Sequence, residues 1–99
     1  MLSIGDYIKL ILQKRGMTLT KLAEEMTELE KLNGNNETIY KQHLSRDLGQ
    51  GKISITRARK IEVALNLPKF QLVNMINPTL SEKQIKHLEE IYKINKQSS

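Results

Sequence analysis

The feature that most limits the fold is a repeated pairing of helix stop with helix start. Apolar residues recur every three or four positions, and each stripe is closed by glycine, asparagine or proline, most being opened by a hydroxyl residue suited to an N-cap. Ser3 precedes Ile4, Ile8, Ile11 and Leu12, with Asp6 placed to complement the positive end of the helix dipole and Arg15-Gly16 as the stop. Thr18 opens Leu22, Met26, Leu29 and Leu32, and the turn Asn33-Gly34-Asn35-Asn36 follows. Ser54 opens Ala58, Ile61, Ala64 and Leu65. Pro68 suits the first turn of a helix with Phe70, Val73 and Ile76, which Asn77-Pro78 ends. Ser81 begins a last helix with Ile85, Leu88, Ile91 and Tyr92, and the polar tail Lys96 to Ser99 is expected to fray. No run alternates with the period of a strand. The expected fold is all-α, a compact bundle of five to six helices.

Between the second helix and Ser54 lies ETIYKQHLSRDLGQGKIS, residues 37–54. A helix over about 37–48, at roughly 100° per residue, stacks Tyr40, Leu44 and Leu48 on its inner side. Thr38, Ile39, Gln42, Ser45 and Arg46 then face outward and offer a methyl, an amide, a hydroxyl and a guanidinium. Those groups match the edges of DNA bases, since Arg forks onto guanine, Gln onto adenine, and apolar branches touch the thymine methyl. Gly49 and Gly51 are expected to end the helix, and Lys52 follows where a phosphate would lie.

Charge supports a polyanionic partner. The 99 residues carry a formal charge of +5 and a pI near 9.6, which favours nucleic acid over a neutral ligand. Lys21, Lys41, Lys52 and Arg57 are the expected phosphate contacts. Arg57, Arg59 and Lys60 oppose the dipole at the start of their helix, which marks them either as functional or as tolerated surface charge. The outer side of the second helix is acidic, with Glu24, Glu25, Glu28 and Glu30 against Lys21 and Lys31, and is expected to be solvated and to lean away from phosphate. The chain has no cysteine, which excludes a disulfide scaffold or thiolate zinc site. It has no apolar run near the ~20 residues of a membrane span and no signal-type leader, so a cytoplasmic location and no membrane are expected. His43 and Asp47 are spaced i, i+4 but are too few to hold a metal. His87 is isolated. No phosphate loop, serine elbow or nucleophile–base pairing appears. An enzyme, a cofactor, a metal and a small-molecule ligand are all unexpected.

Met17-Thr18-Leu19-Thr20-Lys21-Leu22-Ala23-Glu24-Glu25-Met26 resembles the second helix of the lambda-repressor-like (Xre/Cro) helix-turn-helix family. Leu44 to Lys52 resembles the end of that family's recognition helix with its glycine-basic exit, and Ser54 to Leu67 is similar to the helix that follows. The resemblance covers roughly Ile4 to Leu67. It implies a recognition helix in the major groove, base contacts at Gln42 and Arg46, and phosphate contacts from the start of the second helix, Thr18 and Lys21, and from the loop after the third. The connection from Leu22 to Leu44 is about ten residues longer than the family pattern. The inserted stretch, 28–36, is expected to shape docking without reading bases, with Leu29 and Leu32 capping the core.

These observations give a sequence-specific, double-stranded DNA-binding transcriptional regulator of the repressor type. Residues 1–77 form its DNA-binding domain, and 78–99 a C-terminal helix and tail. A homodimer is expected through Ile85, Leu88, Ile91 and Tyr92, unless that stripe folds back on its own bundle. The second reading is a protein-interaction module, antitoxin-like or adaptor, docking through Ile39, Tyr40 and the inserted helix end. RNA binding is a third, disfavoured because one phenylalanine and three tyrosines offer no stacking platform.

Overall fold

The structure, a computed structural model, describes residues 2–95; the tail from Lys96 to Ser99 lies outside them. The helices are α1 (Ile4–Arg15), α2 (Leu19–Leu32), α3 (Lys41–Gln50), α4 (Ile55–Leu65), α5 (Gln71–Ile76) and α6 (Glu82–Glu90), with no strand among the described residues. Four of these starts are made by the expected hydroxyls. Ser3, Thr18, Ser54 and Ser81 accept from the backbone N–H of Asp6, Lys21, Arg57 and Gln84, each at 3.1 Å. Ser81 also donates its own N–H to Gln84 Oε1 at 2.9 Å, completing a capping box. Left-handed residues end α1 at Gly16, α3 at Gly51 and α4 at Asn66. Gly49 does not end α3; it lies inside it. Gln71 opens α5 three residues after Pro68, and Phe70 before it has a left-handed φ of 65°. None of these helices is long and apolar enough to cross a membrane.

The helix stripes meet in one core. Ile8 and Leu12 of α1, Leu22 and Met26 of α2, Leu44 and Leu48 of α3, Ala58, Ile61 and Leu65 of α4, Leu72 and Val73 of α5, and Leu88 of α6 are all buried together. α4 is central, packing on α2, α5 and α6, while α3 is held between α1 and α2. The closest approach is at Gly5, which lies buried on α1: a Cβ there would sit 2.0 Å from the Leu48 carbonyl oxygen. The α1 backbone therefore rests on the last turn of α3, and only glycine permits that distance. The radius of gyration of 12.9 Å equals the ~13 Å of a single packed body of about 100 residues.

Two expectations are corrected. First, α3 begins at Lys41 and not near residue 37, because Asn35 to Tyr40 run without helix. Thr27 Oγ1 accepts from Ile39 N–H at 2.9 Å and donates to the Ala23 carbonyl at 2.9 Å, pinning this stretch to α2. Successive residues of an extended chain point to opposite sides, so Ile39 enters the core at 5% exposure while Tyr40 is left 54% exposed. A helical phase through this stretch places them the other way round. Leu32 is likewise 40% exposed and does not cap the core, although Leu29 is buried.

Second, the acidic face of α2 is not all solvated. Glu30 is buried, paired with Lys60 Nζ at 3.0 Å, with Asn35 Nδ2 at 3.2 Å, and with the Tyr92 hydroxyl, which donates to it. Burial pushes the Glu30 carboxyl up, but the bonds from Tyr92 and Lys60, the Lys60 charge and Asn35 outweigh it and hold the pKa below the ordinary 4.5. Burial, and then the Glu30 carboxylate, raise the Tyr92 phenol far above its ordinary 10.0. Glu62, also fully buried, reaches from α4 to the start of α5. Its Oε1 accepts from Phe70 N–H at 3.0 Å and Arg59 Nη1 at 3.1 Å, and its Oε2 from the N–H groups of Leu72 at 2.6 Å and Val73 at 2.9 Å. It is the N-terminal cap of a helix that has no capping hydroxyl of its own. Arg59 and Lys60 are thus structural cations, Arg59 also lying over the Phe70 ring at 5.3 Å.

The α6 stripe, expected to form a dimer unless it folds back on its own bundle, packs in part within the chain. Leu88 and Tyr92 are buried, Ile85 and Ile91 partly so, and the helix lies against α4. Beyond it Asn33 accepts from Ile94 N–H at 3.0 Å and donates to the Ile94 carbonyl at 2.8 Å. The inserted Asn/Gly turn is therefore the seat of the C-terminal segment.

Two measurements check this packing. Ile39→Ala should cost about 2–5 kcal/mol in denaturant unfolding, whereas Tyr40→Ala should stay within about 0.5 kcal/mol; equal losses would return Tyr40 to the core. Glu30 has a lowered pKa, so its contribution is complete above 4.5 and is lost as pH falls through its folded value. Tyr92 has a raised pKa, so its contribution is complete below 10.0 and declines as pH rises beyond it. Tm against pH should therefore fall on both sides of that window, and Tyr92→Phe should remove part of the alkaline fall while lowering Tm at neutral pH.

Candidate nucleic-acid interface

The geometry of α3 follows from its two buried leucines. Leu44 and Leu48 are 0% and 2% exposed, and one full turn apart they set the inward direction. Residues 42 and 46 then lie on the opposite side at about 100° per residue. Gln42 and Arg46 are both exposed. The Arg46 side chain is 62% exposed, and its Nε stands 4.0 Å from Asp47 Oδ1, too far for a hydrogen bond. Its fork remains available to a ligand. Ser45 is exposed on the flank of the helix, and Thr38 is exposed in the extended lead-in before it. Ile39 is withdrawn from the expected base-contacting set, since its side chain is in the core. The protein-docking reading loses the same side chain.

Tyr40 takes the vacated place at the head of the helix. Its ring meets His43 edge to face, with centroids 5.5 Å apart and planes at 69°. Both side chains are exposed. The signal that would have found it is the Thr-Ile-Tyr run after the Asn/Gly turn, whose adjacent β-branched pair fits extended chain better than a helix start. Tyr40 is also the N-cap of α3, and its side chain makes no capping bond. The first-turn N–H groups of α3 thus lack the side-chain acceptor that α1, α2, α4 and α6 possess.

The five residues expected at phosphates are not equivalent. Lys41 and Lys52 are exposed at the two ends of α3. Thr18 uses its hydroxyl oxygen to cap α2, and Lys21, 56% exposed, pairs with Glu25 at 3.3 Å. Arg57 is half-buried on α4, with Nη1 enclosed and without a hydrogen-bond partner. Its charge acts on the Tyr92 phenol, so it shares the environment of the Glu30 cluster. Glu24, Glu28 and Glu37 are exposed beside the lead-in. Glu24 and Glu28, with Ala23, Thr27, Ile39 and Tyr40, line a groove of about 430 Å³ between α2 and residues 38–41. The surface therefore has a cationic, hydrogen-bonding side on α3 and an acidic side on α2.

Comparison of the chain with models of known families, with curated proteins and with solved structures found no match, so the chemistry of this surface is read from its own residues and from the resemblance they carry.

Proposed function

We propose that the protein is a sequence-specific double-stranded DNA-binding transcriptional regulator built on a lambda-repressor-like helix-turn-helix, with α3 in the major groove. One observation carries this reading. Gln42 and Arg46 stand exposed, side by side one turn apart, on a helix whose opposite side is locked into the core, with Lys41 and Lys52 at its two ends. A rigid helix offering an amide and a guanidinium between two cations has the chemistry needed to read base edges while anchored on phosphates. The acidic outer side of α2 sets the orientation, because Glu24 and Glu28 favour the pose that keeps them away from the duplex. A two-fold operator would need a second copy, and on α6 the partly buried Ile85 and Ile91 are the residues of the stripe left to meet one.

Selection on random duplex DNA tests the reading directly, and failure to enrich any motif would overturn it. With the selected duplex, Lys41→Ala and Lys52→Ala should each weaken binding on all sequences and reduce the slope of log affinity against log salt by about one unit. An unchanged slope would remove these lysines from the phosphates.

Arg46→Ala should cost about 1–3 kcal/mol on the preferred site and relax the preference at a guanine, and Gln42→Ala should relax a different position. Uniform weakening with the parental preference intact would assign both side chains to phosphate.

A further inference from the structure

Tyr40 stands where α1, α2, α4 and α6 carry a hydroxyl cap. Ser3, Thr18, Ser54 and Ser81 each accept a bond from the first turn of their helix, whereas the Tyr40 side chain makes no capping bond. Serine or threonine at this position would stabilise the helix start, as it does in the other four. Nor does the ring serve the core, since Tyr40 is 54% exposed. What the ring meets is His43, edge to face, with centroids 5.5 Å apart.

His43 lies on the outward half of α3. With Leu44 and Leu48 turned inward, an advance of about 100° per residue carries His43 to one flank of Arg46 and Gln42 to the other. All three are exposed. A helix with its side chains is about 10–12 Å across and the major groove about 12 Å wide, so a helix seated there brings both flanks of its outward half to base edges. In helix-turn-helix docking the base contacts come from the N-terminal residues of the recognition helix, and His43 is in the first turn of α3. Imidazole carries an N–H donor in either protonation state. The major-groove edge of guanine, with N7 and O6, offers acceptors alone. An exposed imidazole would otherwise turn freely about two side-chain bonds. The Tyr40 ring, at 69° to it, favours one orientation, and a side chain ordered before binding loses less entropy on binding.

We propose that His43 reads a guanine through its imidazole N–H, beside the bases read by Gln42 and Arg46, and that Tyr40 is a positioning residue that holds the imidazole in the reading orientation. This inference rests on the DNA-binding reading above and adds two residues to it, one that contacts a base and one that acts through the first. The uncapped start of α3 then has a reason: the place of the capping hydroxyl is taken by a ring that orders the reading surface.

The test repeats selection on random duplex DNA with the full chain carrying His43→Ala, Tyr40→Ala, Tyr40→Phe, or both alanines together. His43→Ala should keep the parental circular dichroism spectrum and a Tm no lower than the parent's. It should lose the preference at one guanine position that Gln42→Ala and Arg46→Ala leave intact, and weaken binding to the parental site by about three- to tenfold. Tyr40→Ala should relax that same position to a smaller extent, whereas Tyr40→Phe, which keeps the ring, should select as the parent does. The double variant should bind no more weakly than His43→Ala alone, because Tyr40 acts only through the imidazole. A His43→Ala variant that selects the parental motif overturns the inference. A Tyr40→Ala variant that selects the parental motif, or whose loss adds in full to that of His43→Ala, overturns the positioning role. A parent chain that enriches no motif removes the DNA-binding reading itself, and that outcome is visible before any variant is compared.

Discussion

α1 and α3 touch backbone to backbone, and the orientation of the outward face of α3 depends on that contact. A Cβ at Gly5 would lie 2.0 Å from the Leu48 carbonyl oxygen, so the two helices are closer than side-chain packing allows. Leu44 and Leu48 fill the space between α1 and α2, and the αL turn at Gly51 ends the helix immediately beyond. With its inner side held at this distance, α3 cannot roll without opening the core. Close-packed interiors resist such motion because each displaced methyl loses many small dispersion contacts together. A reading surface needs this rigidity, since base edges discriminate only side chains held in register.

The rest of the bundle is joined by two buried carboxylates. Removing a carboxylate from water costs several kcal/mol on the scale of about 20 kcal/mol that ideal desolvation would demand, and only complete pairing offsets it. Glu62 meets that condition with three backbone N–H groups and Arg59, which lets α4 cap the six-residue α5. Glu30 meets it with Lys60, Tyr92 and Asn35, and so ties α2, α4 and the segment after α6 to one another. Both arrangements favour one packing over others because a shifted helix would leave a buried charge unpaired.

The same pairing divides the positive charge of the chain into two classes. Arg59, Lys60 and half-buried Arg57 belong to the interior of the fold and its electrostatic balance. Lys41, Arg46 and Lys52 remain exposed along α3, as Lys9 and Lys14 do on α1, Lys31 on α2, and Lys83 and Lys86 on α6. Net charge by itself therefore overstates what is presented to a polyanion. The insertion between α2 and α3 has a corresponding double use: its Asn33 holds the Ile94 backbone, and its extended end delivers Ile39 to the core and Tyr40 to the surface.

What the sequence by itself determined are the features carried by neighbours in the chain. The caps at Ser3, Thr18, Ser54 and Ser81, the stops at Gly16 and Gly51, the all-helical content and the outward phase of Gln42 and Arg46 depend on groups within about one helical turn, and local spacing is enough to read them. Tertiary structure alone decided the remainder. Whether residues 35–40 are helical was settled by Thr27, twelve residues from Ile39; whether Glu30 is solvated was settled by Tyr92 and Lys60; and the burial of Leu88 and Tyr92 was settled by the packing of α6 on α4. Gly5 carried no local signal, because its reason is a carbonyl on another helix. A helical period states which residues share a side, but only the packing of distant segments states which side finds a partner and which polar groups are carried inside with it.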